Sequence, residues 1–192
     1  TLLWAVTIAA ANGWVLISAP IVGAIADGSG AKKRFLMATT LGCVVFTALL
    51  SFVGPGDVTL AMVLVILATV MFASGENLIA AFLPEISPPE TMGRLSGYGW
   101  ALGYLGGLLA LVLCLAYVTY AENQGMDASH YVPVSTLIVA VLFGIAALPT
   151  LFWLRERSMA TQSIKDLHAI RMGFDRLKTT LRQARMHTDL FR

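Results

Sequence analysis

The sequence predicts an all-α fold, a polytopic bundle of transmembrane helices. Of its 192 residues 57% are hydrophobic and only 12% are charged, whereas soluble domains carry roughly 25% charged residues. The apolar residues are concentrated in long stretches with almost no charge, and the basic residues are confined to alternate connections between them. The five stretches are residues 1–26, 35–53, 58–83, 95–120 and 132–154.

Each apolar stretch is long enough to cross a bilayer. A transmembrane helix needs about 20 apolar residues to span roughly 30 Å of hydrocarbon, and the stretches are 19 to 26 residues long. A helix satisfies its own backbone hydrogen bonds in lipid, so five spanning helices are expected over residues 1–154.

The distribution of Lys and Arg predicts the orientation. All 13 lie in the first connection, in the third, or after residue 154, and the second and fourth connections (54–57 and 121–131) have none. Positively charged segments remain on the cytoplasmic side during insertion. The chain is therefore expected to be an integral, multi-pass membrane protein that starts outside and ends in the cytoplasm.

The first stretch carries an amide at membrane depth. Asn12 lies midway along it, and such a group needs hydrogen-bond partners. Bonding to another helix and lining of a cavity are both compatible with the sequence. The stretch opens directly at Thr1, and five spans that begin outside lead us to expect a preceding helix.

The first connection contains an acid at the end of a helix. The negative end of the helix dipole disfavours a carboxylate there, so Asp27 is expected to meet a cation or an N–H donor. Gly23 lies one turn earlier on the same face, where a neighbouring helix could approach closely. The second stretch follows; its Cys43, like Cys114 in the fourth, is interpreted as a small packing residue.

The third stretch carries the acid that is clearly inside a span. Glu76 lies about seven residues, ~10 Å, from the predicted cytoplasmic end, and a carboxylate at such a depth costs on the order of 2.5–3.5 kcal/mol. We therefore expect it to point into the bundle with Asn77 beside it. Two interpretations stay open: proton coupling or binding of a cationic solute group, and a protonated acid bonded to a neighbouring helix.

The prolines of residues 84–94 are expected to end the third helix. In the fourth stretch Gly99, Gly103 and Gly107 share one face, a spacing that allows close helix packing. Trp100 and Tyr104 share the adjoining face, where they either pack together or line a cavity.

The fifth stretch leads into a basic segment, residues 155–192. This segment has nine basic and four acidic residues, a net charge of +5. Six apolar residues recur every three or four positions, which predicts a basic amphipathic cytoplasmic linker. Its apolar side either lies on the anionic leaflet or packs on neighbouring protein. The six residues are Ile164, Leu167, Ile170, Phe174, Leu177 and Leu181.

Two segments resemble the major facilitator superfamily. Gly23, Asp27, Gly30, Lys32 and Lys33 match its loop signature Gly-x-x-x-Asp-Arg-x-Gly-Arg-Lys/Arg-Lys/Arg, while Gly28 and Ala31 stand where Arg is usual. Residues 82–107, FLPEISPPETMGRLSGYGWALGYLGG, closely resemble the branch containing the autophagy-related vacuolar amino-acid effluxers and their bacterial relatives.

The resemblance implies a partial N-terminal half of a twelve-helix fold, namely helices two to six and the linker to helix seven. The first helix and the C-terminal half would be its partners in the same transporter. The implied function is secondary active transport of small solutes, amino acids among the candidates, by alternating access. The membrane would be the plasma (inner) membrane in a bacterium and the vacuolar membrane in a eukaryote.

On this interpretation Asp27, Lys32 and Lys33 form a latch with the other half, and Glu76, Asn77, Asn12, Trp100 and Tyr104 are the candidates for solute or proton contact. The alternative is a structural or enzymatic membrane subunit without transport activity. An enzyme is not expected, since no nucleophile and base share a span. We expect no cofactor, metal or nucleic-acid partner, because no nucleotide loop or zinc motif appears in the sequence.

Overall fold

The computed structural model confirms an all-α transmembrane bundle. It describes residues 2–29 and 31–154, except for some side chains near the end of the first helix, Asp27 among them. The predicted amphipathic linker, residues 155–192, lies outside the described residues. The five helices, each long and apolar enough to cross a membrane, are α1 (Leu2–Ser29), α2 (Lys32–Leu49), α3 (Val58–Ile86), α4 (Pro89–Asn123) and α5 (Ala128–Trp153).

Helices α2 and α3 form the centre of the described unit. They pack against each other, α1 packs on α3, α5 packs on α2, and α4 packs mainly on α5. Only limited contacts join α3 to α4. As a result, α4 is the least buried helix, and Ala121 is its one buried residue.

The best-packed apolar core lies near one end of the bundle. Ala26, Leu36, Leu78 and Phe82, from α1, α2 and α3, form this core, and partly buried residues of α1, α2 and the end of α5 pack against it. The α1–α2 and α3–α4 connections lie at this end, and the helix starts that follow them carry Lys32, Lys33 and Arg34 in α2 and Arg94 in α4. We call it the basic end.

The first connection is shorter than the sequence predicted. α1 continues through Asp27 to Ser29, and α2 already begins at Lys32. Hydropathy alone had placed these helix ends at residues 26 and 35. The difference arises because charged and small polar residues extend a helix beyond its apolar part when its backbone hydrogen bonds can still form.

Pro84 does not end α3, contrary to the expectation from the sequence. The helix continues to Ile86 with Pro84 inside it, as transmembrane helices can allow when neighbouring groups compensate for the lost hydrogen bond. The break comes at Ser87 and Pro88, which are both extended. Each precedes a proline, and a following proline disfavours the α conformation. α4 then begins at Pro89, six residues before the predicted start.

Asp127 caps the beginning of α5. The helix starts at Ala128, four residues before the predicted position 132. The Asp127 side chain accepts a hydrogen bond from the Ser129 backbone N–H at 3.1 Å. Hydrogen bonds from the Ser129 hydroxyl, and then from His130, hold the pKa of this exposed carboxyl below its usual value. The stabilisation from this cap is therefore present above the ordinary carboxyl pKa and is lost as the pH falls through the lowered one.

A close contact between α2 and α3 depends on a glycine. A Cβ atom added at Gly42 would lie 3.1 Å from both Cγ and Sδ of Met71. The two helices therefore approach closely here because Gly42 has no side chain.

Replacing Gly42 by leucine is expected to lower the stability of the full-length protein by about 1–3 kcal/mol, since the site is already filled. Thermal unfolding in detergent measures the loss. The matched double variant Gly42→Leu/Met71→Ala creates room across the interface and should recover part of it. Equal melting temperatures for Gly42→Leu and the wild type would contradict the packing described.

Candidate functional site

Glu76 lies on the outer face of α3 within the described unit. The buried face of this helix is occupied by Ser74, Gly75, Leu78 and Phe82, at helical spacing. Glu76 is on the other side and is exposed. The prediction that it points into the bundle therefore does not hold for the interior formed by these five helices, because small and apolar residues already fill that interior.

Glu76 lies farther from the end of its helix than the sequence predicted. Because α3 extends to Ile86, Glu76 lies ten residues, or ~15 Å, from the basic end of the helix. No side-chain hydrogen bond or ion pair joins Glu76 to another residue in the part of the chain that the structure describes. Phe72 and Ile79 flank it along the same exposed side.

Asn77 is exposed like its neighbour Glu76, but it lies on the side of α3 that is next to α1. It lines a small cavity between α1 and α3. The structure thus places the two polar residues at the same depth on adjoining faces of α3.

Asn12 satisfies its amide within its own helix. Its Nδ2 donates to the Ile8 carbonyl oxygen at 2.8 Å, and the side chain is exposed. Within the described residues this bond takes the place of the predicted bond to another helix. The carbonyl end of the amide stays accessible on the surface of α1.

Trp100 and Tyr104 contact each other on α4. Their ring centroids are 6.2 Å apart with planes inclined by 37°, and the residues are 62% and 69% exposed. The two aromatic rings therefore pack on each other and also present a broad exposed surface, while lining of a cavity stays a prediction.

The three predicted packing glycines of α4 are open. A Cβ atom added at Gly99, Gly103 or Gly107 would have no atom of another described helix within 4 Å. The same holds for Gly23 on α1. The close helix contacts predicted at these positions are therefore not made by the described helices, and contact with another segment remains a prediction.

An ion pair joins the start of α2 to the end of α3 at the basic end. Lys32 Nζ donates to Glu85 Oε1 at 2.9 Å, and the two side chains are only 11% and 14% exposed. Lys32 is the first residue of α2, and Glu85 lies in the last turn of α3. A contact so well shielded from water is stronger than a surface pair and depends more on each partner being present.

Sequence analysis identified Lys32 but missed Glu85. The two residues are 53 positions apart, and Glu85 was assigned to a loop because Pro84 was expected to end the helix. The sequence does contain a signal for this pair. Glu85 lies at the end of one apolar stretch, and Lys32 lies at the start of another.

The other residues of the predicted latch are only partly described. Lys33 is half-buried and has an interaction within the structure. The Asp27 side chain and the whole of Gly30 lie outside the described residues. Of these residues, the structure shows Lys32 in contact with Glu85, and a latch with another part of the protein stays a prediction.

Among the described residues, no three His, Cys, Asp or Glu side chains come together in a group that could hold a metal ion. The site is instead an isolated carboxylate deep in a span, an adjacent amide and a shielded ion pair at one end. Such groups can bind a solute or a proton and respond to charge.

Comparisons with known proteins give a consistent family. Residues 5–92 and 90–192 match the family described as Vacuole effluxer Atg22 like. The chain is 29% identical over 188 residues to an uncharacterized MFS-type transporter, YxiO, of Bacillus subtilis (strain 168), covering 96% of this chain and 43% of that protein. It is also 30% identical over 119 residues to a probable quinate permease of Aspergillus niger, covering 55% of this chain and 20% of the permease.

The chain spans less than half the length of each of these curated relatives. No solved structure matches it.

Proposed function

This chain belongs to the Vacuole effluxer Atg22 like family, and from that premise we propose that it forms part of a secondary active transporter of small solutes. Transporters are also what the two curated relatives are named as. The full protein would work by alternating access, with this five-helix unit moving against the remainder of the transporter. No enzymatic step is part of this proposal.

The position of Glu76 carries the proposal. Its carboxylate lies deep in a span and on the outer face of the described unit. Contact of that face with lipid would cost several kcal/mol. The cost is avoided if the face borders a polar path shared with the rest of the transporter, which is where a solute or proton would bind.

Amino acids are the first solute class to test, since the family description refers to vacuolar efflux and an acid can bind an ammonium group. Asn77, Asn12, Trp100 and Tyr104 are proposed to contribute polar and aromatic contacts around the solute. All four are exposed in the described unit, so they are available to such a path.

The basic end is proposed to face the cytoplasm and to change its contacts during the cycle. Lys32, Lys33, Arg34 and Arg94 all follow the two connections at that end, as expected for a cytoplasmic surface. Lys33 and Asp27 are proposed to contact the other half, while Lys32 holds α2 to the end of α3 through Glu85.

The test is transport by the full-length protein in proteoliposomes. A panel of radiolabelled amino acids is offered with and without an imposed proton gradient, and liposomes without protein are the control. We expect uptake or efflux of at least one class, changed by the gradient. Absence of transport for amino acids, quinate-like acids and sugars alike, with correctly folded protein, would refute the proposed function.

A further inference from the structure

A cavity of about 30 Å³ lies between α1 and α3. Its α1 side is made of Ala19, Val22, Gly23 and Ala26, and its α3 side of Ser74, Asn77, Leu78 and Ala81. The lining is mostly small and apolar, with two polar side chains, both from α3. These two side chains decide what the cavity can bind.

Ser74 is buried without a partner for its hydroxyl. The residue is 4% exposed, and its hydroxyl makes no hydrogen bond to any residue in the described ranges 2–29 and 31–154. Several hydroxyls in the spans bond back to their own helix, for example Thr7 to the Leu3 carbonyl at 2.8 Å and Ser135 to the Tyr131 carbonyl at 2.8 Å. Ser74 lacks such a bond and lines the cavity.

A buried hydroxyl without a hydrogen bond is unfavourable, and proteins usually satisfy it with an ordered water molecule. The cavity has the size for this, since about 10–15 Å³ of such volume holds one water. An amino acid or other organic solute is too large for it. Asn77 supplies the second polar partner that a bound water needs.

We propose that this cavity is a water-binding site, in which one or two ordered water molecules bond to the Ser74 hydroxyl and the Asn77 amide. The site hydrates the contact between α1 and α3 within the membrane-spanning part of the protein. The site adjoins the proposed solute path at Asn77, which lines the cavity and is exposed on α3, whereas Glu76 does not line it.

Hydroxyl-radical footprinting of the full-length protein in detergent tests the proposal. X-ray pulses generate radicals from bound water as well as bulk water, and mass spectrometry locates the oxidised side chains. Leu78 lines the cavity and is 2% exposed, whereas Phe82, one turn along the same helix, is 1% exposed and does not line it. Phe82 is therefore the matched control, with a ring that is intrinsically reactive towards the radical.

We expect oxidation of Leu78 without oxidation of Phe82 in the wild type. The Ser74→Ala variant removes the buried hydroxyl, so oxidation of Leu78 should be lost while the melting temperature stays close to that of the wild type. Equal oxidation of Leu78 and Phe82 in the wild type would overturn the proposal, because the cavity would then hold no water, being either dry or filled by an acyl chain. Persistence of Leu78 oxidation in Ser74→Ala would overturn it too.

Discussion

Replacing Glu76 by glutamine in the full-length protein is expected to abolish most of the pH dependence of solute transport. Glutamine keeps the size and hydrogen-bonding groups of the side chain but cannot bind or release a proton. Under the pH gradient that drives the wild type best, we expect a loss on the order of tenfold, within the usual range of coupling free energies between two ligands. Transport in proteoliposomes across a range of pH measures it.

The control for this prediction is Glu90→Gln. Glu90 is exposed and lies in the first turn of α4, so its replacement removes one acid without changing the deep face of α3. It should transport like the wild type at every pH. If Glu76→Gln shows the same pH profile as the wild type, Glu76 does not couple protons to transport. A raised KM confined to cationic solutes would then assign it to solute binding instead.

Replacing Glu85 by glutamine is expected to destabilise the protein by on the order of 3 kcal/mol, the range for breaking a buried ion pair by removing one charge. The Lys32 ammonium would lose the carboxylate 2.9 Å away while its side chain stays 11% exposed. The contact also joins the start of α2 to the last turn of α3, next to the core formed by Leu36 and Phe82. Thermal unfolding in detergent gives the change in stability.

The exchange variant Lys32→Glu/Glu85→Lys separates the ion pair from other effects of the substitutions. It restores opposite charges at the same two positions and should recover part of the lost stability. Glu90→Gln, which changes an exposed acid nearby in sequence, should change stability by less than about 0.5 kcal/mol. Wild-type stability in Glu85→Gln would show that the pair contributes little and that the neighbouring apolar core holds this end together.

Sequence reasoning was accurate for the helices and less so for their ends. Asp127 shows why. Asp is a favoured residue at a helix N-cap, so Asp127 could have marked the start of α5. The predicted start was instead taken from the apolar stretch, which begins only at residue 132. Pro84 shows the opposite error, since a residue that usually stops a helix is accommodated near the end of α3.

The candidate site was predicted in composition but not in arrangement. Glu76 and Asn77 are conspicuous because polar residues are costly in a span, so the sequence alone identifies them. Their direction depends on which face of α3 meets α1 and α2. That face was identified only by the buried positions of Ser74, Gly75 and Leu78.

What the sequence determined by itself is the number of membrane-spanning helices, the family, and the residues that are unusual in lipid. These follow from local properties, because lipid solvates each apolar stretch separately and each charge contributes its own cost. The tertiary structure decided the rest: the Lys32–Glu85 contact across 53 residues, the outward face of Glu76, and the cavity beside Ser74. Each of these depends on which helices pack together, and that is set by the fit of small and large side chains between helices far apart in the chain.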